Sequence, residues 1–295
     1  MNFHHALKYL EYRITSRHGK GYGIHSPFVF DLITKVFRDR TLYDEYAEVE
    51  QVRHSLLGCA RIIEVQDLGA GSTALKGTKR KIGRIAKTSS VSPVYGQLLF
   101  RLARYFQAEI ILELGTSLGI STLYLAKSRQ EATVHTIEGC PQTAAEAANV
   151  FKQAGNENIA DEADPLDSRQ INLSASNNTI SISPALKHDQ NIKLHTGPFD
   201  EKLPVLLKDL DTIDLIFFDG NHRKEPTLDY FRQCLQKTHK NSIFIFDDIY
   251  LSNEMVQAWM EIKNCNRVTL TIDIFRMGLV FFREGIRKQH FSIRF

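Results

Sequence analysis

The chain has 295 residues, a formal net charge of +3, and 43% hydrophobic against 24% charged residues. That length allows one large domain with an extension or two modest domains, and the composition excludes a disordered chain or a fibre. The longest apolar runs, 215–218 and 243–246, fall far short of a membrane span, and the first residues lack the continuous apolar core of a signal peptide.

Residues 1–90 read as a polar, helical N-terminal extension, a cap or oligomer region, with sharp punctuation at Gly21-Tyr22-Gly23-Ile24-His25-Ser26-Pro27. Ser26 is placed to cap a helix and Pro27 to fill its first position. Phe28, Ile33, Val36 and Phe37 then recur at helical spacing. Between Leu68 and Gln107 there is no acid, while Lys76, Lys79, Arg80, Lys81, Arg84, Lys87, Arg101 and Arg104 are all basic. Such a run suits a solvated helical face, or a surface that draws an anionic acceptor, an acidic lipid headgroup or RNA. Another amphipathic helix is expected over 94–106.

From there short apolar strands alternate with helical patterns. Strands are predicted at 110–114, 133–138, 192–195, 213–219 and 242–247, and helices at 120–127, 142–153, 203–207 and 227–238. This alternation builds a parallel sheet covered on both faces. After a helix near 254–263, two strand-like runs, 267–275 and 278–283, are separated only by Arg276 and Met277. So short a link cannot cross over a sheet and must form an antiparallel hairpin. Residues 155–190 contain no Phe, Trp or Tyr and carry six acids against two bases, which predicts a mobile insertion in the 91–295 domain. Its middle alternates well enough for a small hairpin around Asn177 and Asn178.

Two glycine loops compete for a phosphate- or nucleoside-bearing ligand. Asp67-Leu68-Gly69-Ala70-Gly71-Ser72 is followed by basic residues with no acid before Glu109, so it reads as an ordinary turn. Glu113-Leu114-Gly115-Thr116-Ser117-Leu118-Gly119-Ile120-Ser121-Thr122 has a strand before it and a helix after it. Gly115 and Gly119 would let the backbone approach a ligand closely, with Ser121 near the start of the following helix. The next strand ends at Glu138, close to the spacing of about 20 residues at which an acid meets ribose hydroxyls. Four cysteines without Cys-x-x-Cys spacing argue against a zinc site or disulfides and for a reducing cytoplasm.

Glu113-Leu-Gly-Thr-Ser-Leu-Gly-Ile-Ser-Thr, Glu138, Asp219-Gly-Asn-His222 and Asp247-Asp248 together resemble class I methyltransferases that use S-adenosylmethionine (SAM). The similar branch contains the catechol and caffeoyl-CoA type O-methyltransferases and their bacterial relatives, and the resemblance covers about 91–283. The Gly-Ile-His-Ser-Pro-Phe-Val-Phe element also resembles a group of bacterial methyltransferases. The resemblance implies a Rossmann-like doubly wound sheet of seven strands, ordered 3-2-1-4-5-7-6 with the seventh antiparallel, and a homodimer by family habit. It implies that Glu113, Gly115, Thr116, Ser117, Gly119 and Ser121 hold the methionyl end of SAM, with Glu138 on the ribose and Asp219 nearby. Ser117 stands where the usual loop has its middle glycine.

Ligands of open α/β sheets sit at the carboxyl ends of the strands, where Asp219, Asp247 and Asp248 are expected to converge. Such oxygen donors suit Mg²⁺ or Ca²⁺. In the catechol-type enzymes the matching positions are two acids and an asparagine, so Asp248 departs from the pattern. His222 replaces the family's lysine three positions after Asp219, and a histidine can serve as general base near neutrality. His25, Tyr22, Phe28 and Tyr250 are candidates for an acceptor pocket, whereas Trp259 follows helical spacing and suits the core. The expected reaction is methyl transfer to a hydroxyl oxygen of a small, anionic acceptor. Rival readings are an RNA methyltransferase, a SAM-binding protein without catalysis, and an NAD-dependent oxidoreductase. The first has the basic stretch in its favour but lacks Asn/Asp-Pro-Pro-aromatic and Pro-Cys motifs. The last lacks a tyrosine–lysine pair at four-residue spacing after the third strand.

Overall fold

A computed structural model describes residues 3–16, 24–66, 77–155, 160–161 and 191–295. The chain opens with α1 (Phe3–Thr15), then α2 (Pro27–Leu32), which runs on as a wider π turn over Ile33–Phe37, and α3 (Asp44–Gly58). As expected, Ser26 caps α2, its hydroxyl accepting from the Val29 amide at 3.4 Å, with Pro27 at the first position. A hairpin-like pair absent from the sequence reading follows, β1 (Ile62–Glu64) antiparallel to β2 (Lys79–Lys81), and then α4 (Ile82–Ser89) and α5 (Pro93–Tyr105).

The wound region contributes β3 (Ile110–Leu114), α6 (Ile120–Ala126), β4 (Thr133–Glu138), α7 (Pro141–Gln153), β5 (Ala160–Asp161) and β6 (Asn191–Thr196). It continues through α8 (Phe199–Asp209), β7 (Leu215–Phe218), α9 (Lys224–Leu235), β8 (Ile243–Phe246) and α10 (Asn253–Asn264). It ends with β9 (Leu270–Asp273), β10 (Gly278–Phe281) and β11 (Gln289–Ser292). Among the described residues the main sheet has nine strands in the order β11-β9-β10-β8-β7-β3-β4-β6-β5. Its central seven reproduce the expected order, and β10 is antiparallel to both β8 and β9. The expectation of seven strands is corrected at the edges. β5 lies in the segment read as an insertion, and β11 adds a parallel strand outside β9. Most of 155–190, with its hairpin at Asn177 and Asn178, lies outside the described residues, as do 67–72.

The strands alternate between two buried faces, as period-two side-chain geometry requires. Ile111, Leu215, Phe217, Ile243 and Ile245 face α2, α3 and α5–α7, while Leu112, Ile216, Phe218, Phe244 and Phe246 face α8–α10. Val29, Leu32, Val49 and Leu56 from the N-terminal extension therefore share a core with the sheet. The basic run divides. Lys79, Lys81, Arg84 and Lys87 are exposed, whereas Arg101 is buried and donates from Nε to the Val36 carbonyl at 2.7 Å. Trp259 is core, as expected. Among the described residues no helix is long and apolar enough to cross a membrane.

His135 of β4 and His195 of β6 form a buried pair, their rings stacked at 5.5 Å and Nδ1 3.2 Å from Nε2. Burial, then the His195 and Lys193 charges, push His135 from 6.5 down to about 4. A histidine depressed in the fold stabilises it fully above pH 6.5 and loses that contribution as pH falls toward 4. Glu113, raised from 4.5 to about 6, has the opposite slope, its contribution fading as pH rises through that window. The two partly cancel, so the difference between wild type and His135→Gln isolates the histidine. Urea unfolding should show this difference shrinking by on the order of 2 kcal/mol between pH 7 and 5. Parallel pH dependence in the two proteins would count against the buried neutral histidine.

Candidate active site

The loop after β3 turns through left-handed backbone at Gly115 (φ +109°), Ser117 (φ +49°) and Gly119 (φ +83°), the last of which starts α6. Only glycine adopts the first of these readily. A Cβ on Gly115 would lie 2.2 Å from the Asp219 carbonyl oxygen, and one on Gly119 would lie 2.3 Å from the Phe151 ring. These glycines are thus required by the chain's own packing, between β3 and β7 and beneath α7, before any ligand arrives. The loop is tied to β4 by the Gly115 amide, which donates to the Ile137 carbonyl at 3.0 Å.

Glu138, at the end of β4, completes the turn. One of its carboxylate oxygens accepts from the Ser117 amide at 2.8 Å and the other from the Cys140 amide at 3.0 Å. A carboxylate offers about four lone-pair directions, which suits this side chain to the hydroxyls of a sugar. Beneath the loop Glu113 is fully buried, accepting from Thr122 at 2.5 Å and Thr136 at 2.7 Å. Thr116 and Thr136 share a hydroxyl contact at 2.6 Å, so Thr116 extends this buried polar floor. Burial raises Glu113 to about 6, opposed by the nearby hydroxyls of Ser121, Thr122 and Thr136, and its Oε1 makes no hydrogen bond among the described residues. The loop, Ser121 and Glu138 are therefore brought together as the spacing implied, with Glu113 beneath them as the resemblance implied. The arrangement fits a ligand with a cationic amino acid end and a ribose.

Across the sheet, Asp219 follows β7 and Asp247 and Asp248 follow β8. Asn221 and His222 are consecutive left-handed residues, which turns the His222 ring back so that Nε2 lies 3.7 Å from Asp219 Oδ1. Burial, reinforced by the charges of Asp247 and Asp248, pushes the Asp219 carboxyl well above its usual range. The three acids do gather, but with a cation among them that the sequence reading missed. Arg276, in the β9–β10 turn, donates Nη2 and Nε to Asp247 at 2.8 and 3.0 Å, and its Nε lies 3.9 Å from Asp248. Burial opposes its charge, yet Asp247, with Asp248 and Asp219, holds the guanidinium above its ordinary pKa. Among the described residues no set of three or more His, Cys, Asp or Glu side chains is arranged to hold a metal ion. The donor set expected for Mg²⁺ or Ca²⁺ does not fit one here, because Asp247 is already taken up by the guanidinium.

Aromatic side chains ring this cluster. Tyr250 donates to Asp273 and stacks on Phe275 at 5.4 Å, Tyr9 and Tyr12 of α1 pack on Phe275, and Tyr95 lies 5.6 Å from the Arg276 guanidinium. Tyr250 is thus beside the acids as expected, while Tyr9, Tyr12, Tyr95 and Phe275 were not foreseen. Phe28 is a correction. It packs on Phe106, Phe281 and Arg283, and Phe281 pairs with Ile243 at the opposite end of β8 from Asp247. His25 is exposed, and Tyr22 lies outside the described residues.

Residues 112–249 match a family model described as a methyltransferase domain. A catechol O-methyltransferase of Niastella koreensis is 29% identical over 161 residues, 54% of this chain, and the match spans 58% of that enzyme's length. The SAH-bound Podospora anserina methyltransferase PaMTH1 superposes with a TM-score of 0.55 at 16% identity, over 88% of this chain and 98% of that one. Cofactor-bound Rv0187 from MTB superposes with a TM-score of 0.52 at 16% identity, over 88% and 96%. These likenesses show the shared Rossmann-like α/β fold.

Proposed function

We propose that this chain, whose residues 112–249 match a family model described as a methyltransferase domain, moves the methyl group of SAM to a hydroxyl oxygen of a small acceptor. The observation that carries the reading is the hydrogen bond from Ser117 to Glu138, which joins the glycine turn to the acid of the second strand. In this reading Glu138 accepts the ribose hydroxyls, and Gly115, Thr116, Ser117 and Gly119 present backbone to the methionyl end. Glu113, with Ser121, supports the turn from below and offers its unpaired oxygen toward the ammonium. When bound, SAM supplies an electrophilic methyl on a sulfonium. The chain's own task is to hold the acceptor oxygen in line about 3 Å from that carbon and to take its proton. His222, oriented by Asp219, is the general base, and the aromatic ring around Tyr250 supports an aromatic acceptor.

The basic surface around α4 supports an anionic acceptor, a homodimer follows the family's habit, and four free thiols suit a reducing cytoplasm. Calorimetry decides the cosubstrate. SAM and SAH should both bind, NAD should not, and Glu138→Gln should weaken SAH by about 10–100-fold, as expected for hydrogen bonds to a charged group. Absence of heat with SAM and SAH would end this reading.

A further inference from the structure

We infer that Arg276 is the resident cation of the strand-end acidic cluster and takes the place a divalent metal ion would occupy there. Asp247 has a side chain with 0% exposure, and burying a carboxylate is costly unless a cation or hydrogen-bond donors offset it. A divalent ion and a guanidinium are two solutions to that need, and the geometry here is the second. Nε and Nη2 clasp Asp247 in the forked manner that matches a guanidinium to a carboxylate, at 2.8 Å for the shortest contact.

The backbone fixes the same arrangement. The Ile249 amide, one residue past Asp248, donates to the Arg276 carbonyl at 3.3 Å, and the Ile274 amide closes the turn on Met277 at 3.0 Å. Tyr95 covers the guanidinium from α5. A metal ion entering between Asp219, Asp247 and Asp248 would have to evict a side chain held by two charged hydrogen bonds that cannot neutralise itself by losing a proton. For the acceptor, this inference rests on the methyltransferase reading. With no divalent ion to acidify its hydroxyl, proton removal falls to His222, and Arg276 is a cation available to the developing alkoxide.

The test is Mn²⁺ binding to chelator-stripped protein, followed by electron paramagnetic resonance. Wild type and Arg276→Lys should bind none. Arg276→Met, which uncovers the carboxylates, should gain a stoichiometric Mn²⁺ site that Arg276→Met/Asp247→Asn lacks. Stoichiometric binding by wild type that Asp247→Asn abolishes would overturn the inference, as would a folded Arg276→Met that binds no Mn²⁺. Arg276→Gln replaces the methionine variant if circular dichroism shows that it does not fold. SAH calorimetry on the same samples keeps the two readings apart, since loss of SAH binding in wild type refutes methyl transfer and leaves the Mn²⁺ result intact.

Discussion

Turnover with a hydroxyl acceptor will fall by about 10²–10⁴-fold when His222 is replaced by asparagine, the range typical of losing a positioned general base. Affinity for SAH should stay nearly unchanged, because the glycine turn and Glu138 lie across the β3–β4 edge of the site. Asparagine is the informative replacement. His222 sits at φ +48° directly after Asn221 at φ +67°, and asparagine tolerates left-handed backbone better than alanine does. The variant therefore removes the imidazole while sparing the turn that aims it. Wild-type turnover in His222→Asn would remove the base from the scheme and leave Asp219, whose carboxyl burial and the charges of Asp247 and Asp248 push well above its usual range, as the group to examine.

Gly115→Ala should be the most damaging single methyl among the described glycines. Left-handed backbone in a residue with a Cβ costs about 1–3 kcal/mol. The new carbon would also sit 2.2 Å from the Asp219 carbonyl oxygen, where no real contact exists. The strand end must move, and with it the Asp219 carboxyl. A melting temperature lower by about 10 °C and loss of SAH binding are expected. Gly285→Ala is the control, for Gly285 also has positive φ (+74°) but its Cβ would meet nothing within 4 Å. Equal, modest losses in the two variants would show that strain alone acts and that the close approach to Asp219 has no consequence.

The wound sheet was legible because its signals are local. Alternating short strands and helices and a two-residue link are enough to specify five parallel strands and an antiparallel closing hairpin. The edge strands were not legible, since β5 is two residues long and β11 is polar and half exposed, with no hydrophobic alternation to read. Helix α8 was under-read because Pro204 lies inside it. At the site, the glycine turn and Glu138 could be placed from the strand–loop–helix spacing, and Glu113 only from the family resemblance. Arg276 could not, because a single basic residue in a hairpin turn is indistinguishable from a solvated one until the turn is seen folded over Asp247. Phe28 was misplaced for a related reason. Its helix was correctly drawn, but periodicity does not say which end of a strand a helix will cover.

The aromatic flank of the site depends on residues synthesised at very different times. The Tyr12 hydroxyl donates to the Ile293 carbonyl at 2.5 Å, Arg294 donates to the Arg13 carbonyl at 2.8 Å, and Tyr95 packs on Phe295. Partners some 281 positions apart must wait for each other, and such distant closure is slow. On the ribosome, then, α1 emerges early without the segment that will seat it. The glycine turn can form well before the aromatic side is roofed, so the nascent chain completes the β3–β4 edge of its site ahead of the flank around Tyr250.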